Sequence, residues 1–181
     1  MKQTILITGL IITAIATVPV VFSDDDWHEY KQLSQGVSAI SDPLYKEECG
    51  SCHMAYPPGL LPAASWQKIM LGLEEHFGDN AEIAADDHQL ITQFLTKNSA
   101  DDSSYRRSRR IVKSLKQTDV PLRISATPYF LHEHDEIPDR LVSKNDKVKS
   151  YSNCNACHQQ AEQGMFDEHS IRIPGFGRWD D

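Results

Sequence analysis

The chain has 181 residues, with 18 basic and 26 acidic side chains, a formal net charge of −8 at pH 7 and 40% hydrophobic residues. This composition is globular and not disordered, and the length allows one domain or two small lobes. The acidic balance argues against a nucleic-acid partner, whose phosphates call for a basic surface. Four cysteines are too few for a disulfide scaffold, so their placement matters more than their number.

In chain order, the first feature is an export signal. Lys2 is the only charge before Asp24, and Ile5 to Phe22 is nearly all apolar or small. With Val21-Phe22-Ser23 ahead of an acidic run, residues 1–23 read as a secretory signal peptide cleaved after Ser23, which makes the protein periplasmic in a Gram-negative cell. The competing reading is an uncleaved anchor, because the apolar stretch is near the roughly 18-residue limit for a spanning helix. Thr, Pro and Gly within it favour cleavage.

Ser41-Asp42-Pro43 is a helix start, a capping side chain followed by proline in the first turn, and that helix runs into Cys49. Tyr56-Pro-Pro-Gly-Leu-Leu-Pro62 is predicted to be irregular. Ser65 is expected to cap a second helix, Trp66 to Phe77, ended by Gly78. Trp66, Ile69, Met70, Leu73 and Phe77 would share one face, with His76 on its margin. A third helix, about Asp86 to Thr96, would bury Leu90, Ile91, Phe94 and Leu95. The polar stretch Asn98–Ser104 then separates two units, residues 24–100 and 101–181. The first holds 13 acids and 4 bases and the second 13 of each. The second opens on a basic helix from Ser104 to Leu115, whose arginines face either solvent or an anionic group. Thr127-Pro128 caps another helix, leading through His132 to His134.

One motif recurs, once in each unit: Cys49-Gly-Ser-Cys52-His53 and Cys154-Asn-Ala-Cys157-His158, together using every cysteine. Two thiols on one helical turn can each add to a haem vinyl group, and the adjacent imidazole then lies under the iron. Zinc, a dithiol redox site and paired disulfides compete. However, 101 residues separate the pairs and a histidine follows both, so the reading is two haem c groups with iron ligands His53 and His158. For the opposite faces, periodicity favours His76. His132 and His134 lie about 200° apart on a helix, so only one can face a given haem, and the pattern prefers His134 only weakly. Met70 reads as a core residue, His88 as solvated, and His28 lies in the acidic N-terminus. Motif helix, loop, ligand helix and closing helix, in that order, resemble a small class I c-type cytochrome. The expected fold is mainly α, with two small haem-binding lobes.

Several stretches resemble the bacterial dihaem cytochrome c family: Cys49–His53, Tyr56–Pro62, Ser65-Trp66, His76-Phe-Gly-Asp-Asn-Ala81, Thr127–Phe130, Glu133-His134, Cys154–His158 and Ile171–Pro174. The resemblance spans roughly Tyr45 to Pro174. It implies bis-histidine ligation, with His53 and His158 proximal and His76 and His134 distal. It also implies a periplasmic electron-carrier role and redox partner proteins, among them a membrane-embedded b-type cytochrome. The lobe boundaries place His76 at the first haem and His134 at the second; the crossed pairing is the alternative. The expected function is single-electron transfer without catalysis. The alternatives are an electron-transfer subunit of a terminal reductase, or a haem protein that binds oxygen, nitric oxide or peroxide at a labile site. Imidazole pairs give lower potentials than His/Met pairs. The acidic first lobe, near Glu47, Glu48, Glu74 and Glu75, is the expected docking face for a basic partner.

Overall fold

The computed structural model describes residues 36–179. The signal segment and His28 lie outside the described residues. The fold is mainly α, and among the described residues five helices are joined by 3₁₀ turns and one small hairpin. Helix α1 (Pro43–Gly50) starts as the sequence requires: the Asp42 side chain accepts from the Tyr45 amide at 2.8 Å, meeting one of the open donors of the first turn. Tyr45 is buried, and its hydroxyl donates to the Tyr56 carbonyl.

The Tyr56–Pro62 loop is more ordered than expected, closing into a buried 3₁₀ turn at Pro58–Leu60. Trp66 fixes it by donating its indole N–H to the Pro58 carbonyl at 2.7 Å. Helix α2 (Ala63–Met70) begins two residues before the expected Ser65 cap. Ser65 is buried inside it and Pro62 takes the cap position. The helix also ends early, because Gly72 adopts φ −125° and a separate 3₁₀ turn, Leu73–Glu75, follows. A glycine in the last turn makes helix propagation costly, so His76 and Phe77 lie outside the helix. Helix α3 (Ala85–Lys97) packs across α2. Ile91 and Leu95 are buried and Phe94 packs against their cluster, but Leu90 is exposed, contrary to the periodic assignment.

Helix α4 (Arg106–Ser114) buries Ser108 and Ile111 and presents Arg106, Arg109, Arg110 and Lys113 to solvent. It packs on α5 (Pro128–Glu133), where the Thr127 hydroxyl accepts from the Phe130 amide. The short hairpin of β1 (Arg172–Ile173) and β2 (Gly177–Arg178) pairs antiparallel near the C-terminus. Three apolar clusters result. One lies among α1, α2 and α3; one joins Val37, Leu60 and Ile111; one gathers Leu141, Ile171 and Ile173. Among the described residues no helix is long and apolar enough to cross a membrane.

Candidate functional site

Two cavities flank the motifs. The first, about 800 Å³, is lined by Cys49, Cys52, His53 and His76 with apolar walls from Leu61, Trp66 and Met70. The second, about 340 Å³, is lined by Cys154, Cys157, His134 and His158 together with Ile111, Phe130 and Phe166. Both fall in the ~300–1,000 Å³ range typical of small-molecule sites. Ile124, Tyr151 and Cys154 line both, so the cavities share a wall. Tyr56 ties that wall together. Its ring packs on His53 at 5.0 Å, and its hydroxyl donates to the Ser152 carbonyl at 2.7 Å.

Each motif histidine meets one of the predicted distal histidines. His53 and His76 have ring centroids 6.2 Å apart, and so do His134 and His158. With metal–nitrogen bonds of roughly 2 Å, an imidazole–metal–imidazole sandwich places ring centres roughly 6 Å apart. His132 is exposed, with Nδ1 3.8 Å from the Asp135 carboxylate. His88 departs from the solvated reading. Half-buried, its Nε2 lies 2.9 Å from the Met70 carbonyl at the end of α2. Met70 is buried in the first core, as its periodicity implies.

The distal histidines are presented differently. His76 opens a tight turn in which its amide donates to the Asp79 carbonyl at 2.8 Å and the Asp79 amide donates back. Both central residues have positive φ, Phe77 at 59° and Gly78 at 109°, as a type I′ turn requires. For a phenylalanine this backbone is strained. The Arg123 guanidinium lies 3.9 Å over its ring, a cation–π contact that holds it there. His134 instead follows the last turn of α5. Its Nδ1 donates to the Phe130 carbonyl at 2.9 Å, and its ring stacks on Phe130 at 3.8 Å.

Donating Nδ1 to a carbonyl leaves Nε2 as the free metal-binding nitrogen. His53 does so to Met54 at 2.8 Å and His134 to Phe130. Among the described residues the buried Nδ1 of His158 finds no partner. Burial also shifts three imidazoles toward the neutral form. His76 and His134 are pushed below the usual histidine value, and His158 falls to about 4 through burial, then repulsion from His134 and Arg107. A neutral ring keeps the lone pair that iron needs.

None of the four cysteines is paired in a disulfide. Burial raises Cys49 and Cys154 to about 11. The thiol pairs do not converge: among the described residues no group of three or more His, Cys, Asp or Glu could hold a bare metal ion. Paired thiols, facing imidazoles and apolar walls fit a porphyrin in each cavity.

A family model described as dihaem cytochrome c matches residues 45–166. The chain belongs to the dihaem cytochrome c family. Its cofactors are two haem c, and its activity is haem-based electron transfer. The chain is similar to a solved diheme cytochrome type c from Shewanella baltica OS155. The two are 43% identical with a TM-score of 0.65, over 76% of this chain and 97% of that one. It is also similar to the diheme cytochrome c from Rhodobacter sphaeroides, at 44% identity and TM-score 0.64, over 72% of this chain and all of the other. The search of curated proteins gives no match.

Sequence reasoning missed the residues that hold this dihaem cytochrome's candidate ligand histidines in place. Phe130, one helical turn before His134, carries a periodicity signal in hindsight. Arg107 carries less. It walls the second cavity by donating to the Tyr129 hydroxyl at 2.8 Å and the Phe166 carbonyl at 3.0 Å, and it pairs with Glu133 at 3.6 Å. Nothing local distinguishes it from the exposed arginines on the same helix.

Proposed function

We propose that the protein is an exported, periplasmic electron carrier with two lobes, 24–100 and 101–181, and two bis-histidine haems. Cys49, Cys52, His53 and His76 hold the first; Cys154, Cys157, His158 and His134 hold the second. The observation that carries this reading is the repeated 6.2 Å between paired imidazole centres. Haem iron supplies a one-electron couple at each site. The residues do the rest: the paired imidazoles would hold the iron from both sides, the apolar walls would keep the coordination dry, and Ile124, Tyr151 and Cys154 form a wall common to the two sites. With both positions filled, the protein catalyses nothing and passes electrons between redox proteins, among them a membrane-embedded b-type cytochrome.

The test is carbon monoxide binding to the reduced protein. Both haems are expected to stay low-spin and unaltered. Rapid formation of a carbonyl complex would overturn the reading in favour of a labile, ligand-binding site.

Partner encounter is expected at the first cavity. Glu47, Glu74 and Glu75 are exposed, and Glu48 lines the cavity beside an exposed His53. A basic partner steered there should show an electron-transfer rate that falls with ionic strength, since exposed charges are screened beyond about 8 Å at physiological salt. Reversing Glu74 and Glu75 to Lys should flatten that dependence and leave both haem spectra unchanged. A salt dependence as steep as the wild type's would sink the docking assignment.

A further inference from the structure

The two imidazole pairs share one spacing but differ in ring orientation. The planes of His53 and His76 lie 19° apart, nearly parallel, whereas those of His134 and His158 lie 74° apart, nearly perpendicular. We propose that Phe130 is a positioning residue that fixes the ring plane of His134, and that it thereby makes the two haems of this protein electronically inequivalent, the first near-parallel and the second crossed. The inference rests on the bis-histidine reading given above.

The hydrogen bond from His134 Nδ1 to the Phe130 carbonyl, together with a metal bond at Nε2, would fix an axis through the imidazole without fixing its plane. The ring could still swivel about that axis. The phenyl face prevents it, lying 3.8 Å from the imidazole at an interplanar angle of only 12°. Tyr151 closes the arrangement edge-on, at 90° to Phe130 and 88° to His134. Across the cavity, His158 has no acceptor for Nδ1 among the described residues, and its ring packs against Phe166 at 5.4 Å and 63°. The first site is built otherwise. The Tyr56 ring lies against His53, tilted 32°, and Phe77 meets His76 edge-on at 4.8 Å. Aromatic neighbours in stacked and edge-on geometry hold a ring by shape as well as by area, and outer groups of this kind orient metal ligands.

The electronic consequence follows from orbital symmetry. Two parallel imidazoles donate π density into the same iron d orbital and split the d pair strongly. Two crossed imidazoles each act on a different member of that pair and leave it nearly degenerate, with large orbital angular momentum. In the oxidised protein the first case gives a rhombic low-spin signal with three resolved components. The second gives a highly anisotropic signal dominated by one low-field feature.

Low-temperature electron paramagnetic resonance of the oxidised holoprotein tests this directly. The wild type is expected to show both signals in equal amounts. Phe130→Leu keeps an apolar side chain but removes the flat face. It should abolish the anisotropic feature and replace it with a rhombic one, leaving the first haem's signal unmoved. Phe130→Tyr keeps the face and should retain the wild-type pair. Two rhombic signals in the wild type, or an unchanged anisotropic feature in Phe130→Leu, would overturn the proposal while leaving bis-histidine ligation intact. A high-spin signal in the wild type would overturn the ligation itself, and this inference with it.

Discussion

His134→Ala is expected to convert one haem from low to high spin and to open it to carbon monoxide, while both haems stay covalently attached. In the proposed ligation the attachment chemistry belongs to Cys154 and Cys157, on a different segment from His134, so removing that imidazole leaves both thioethers available. No other described histidine ring is placed against His158: His132 is exposed and turned toward Asp135. His76→Ala should do the same at the first haem, since among the described residues the histidine ring facing His53 at a sandwich distance is that of His76, and Tyr56 lies closer in, at 5.0 Å. Each change should therefore take carbon monoxide binding from none to one equivalent. His132→Ala should leave the spectrum as it was, because its exposed side chain contacts a solvent-facing carboxylate. A low-spin, carbon-monoxide-resistant spectrum in His134→Ala would show that another residue is the second haem's ligand.

The covalent chemistry was legible in the sequence because it is local. Two thiols and an imidazole within five residues state their cofactor without any knowledge of the fold. Two helix starts were legible for the same reason, Asp42 and Thr127 capping from within one turn of the chain, whereas the expected cap at Ser65 falls inside its helix. Helix ends were less so. The apolar stripe through Leu73 and Phe77 has helical spacing, but Gly72 breaks the ladder, and the positive φ of Phe77 and Gly78 turns the chain. His76 consequently reaches the first cavity from a tight turn and not from a helix margin. Leu90 and His88 show the limit of periodicity on α3. The packing of α2 across it decides which residues are covered, and that is a relation between two segments. Tyr56 and Arg107 were invisible as supports because their partners, Ser152 for Tyr56 and Phe166 for Arg107, lie 96 and 59 residues away.

One such distant relation should dominate stability. The Val37 amide donates to the Gly164 carbonyl at 2.9 Å, and the Arg107 amide donates to the Gly36 carbonyl at 3.3 Å. The strand-like start of the described chain is thereby stitched to α4 and to the segment after the second motif. Neither glycine has room for a side chain. A Cβ on Gly164 would overlap the Val37 carbonyl, and one on Gly36 would overlap the Gly164 carbonyl. Gly164 also sits at φ +77°, where a residue with a Cβ is strained. Gly164→Ala therefore combines a left-handed penalty of about 1–2 kcal/mol with overpacking of about 1–3 kcal/mol, for a loss of about 3 kcal/mol in all. Gly36→Ala incurs only the overlap and should lose less. The damage should also be directional. Val37 packs with Leu60 and Ile111, which line the second cavity, as does Phe166 beside His158. Chemical denaturation of the holoprotein, followed at the haem absorption, should show a lower midpoint for both variants, with Gly164→Ala the lower. The second haem should lose its low-spin ligation at lower denaturant than the first. Equal midpoints for the two variants would remove the backbone contribution assigned to Gly164. A wild-type midpoint in both would mean that the Gly36–Gly164 crossing does not hold the molecule together.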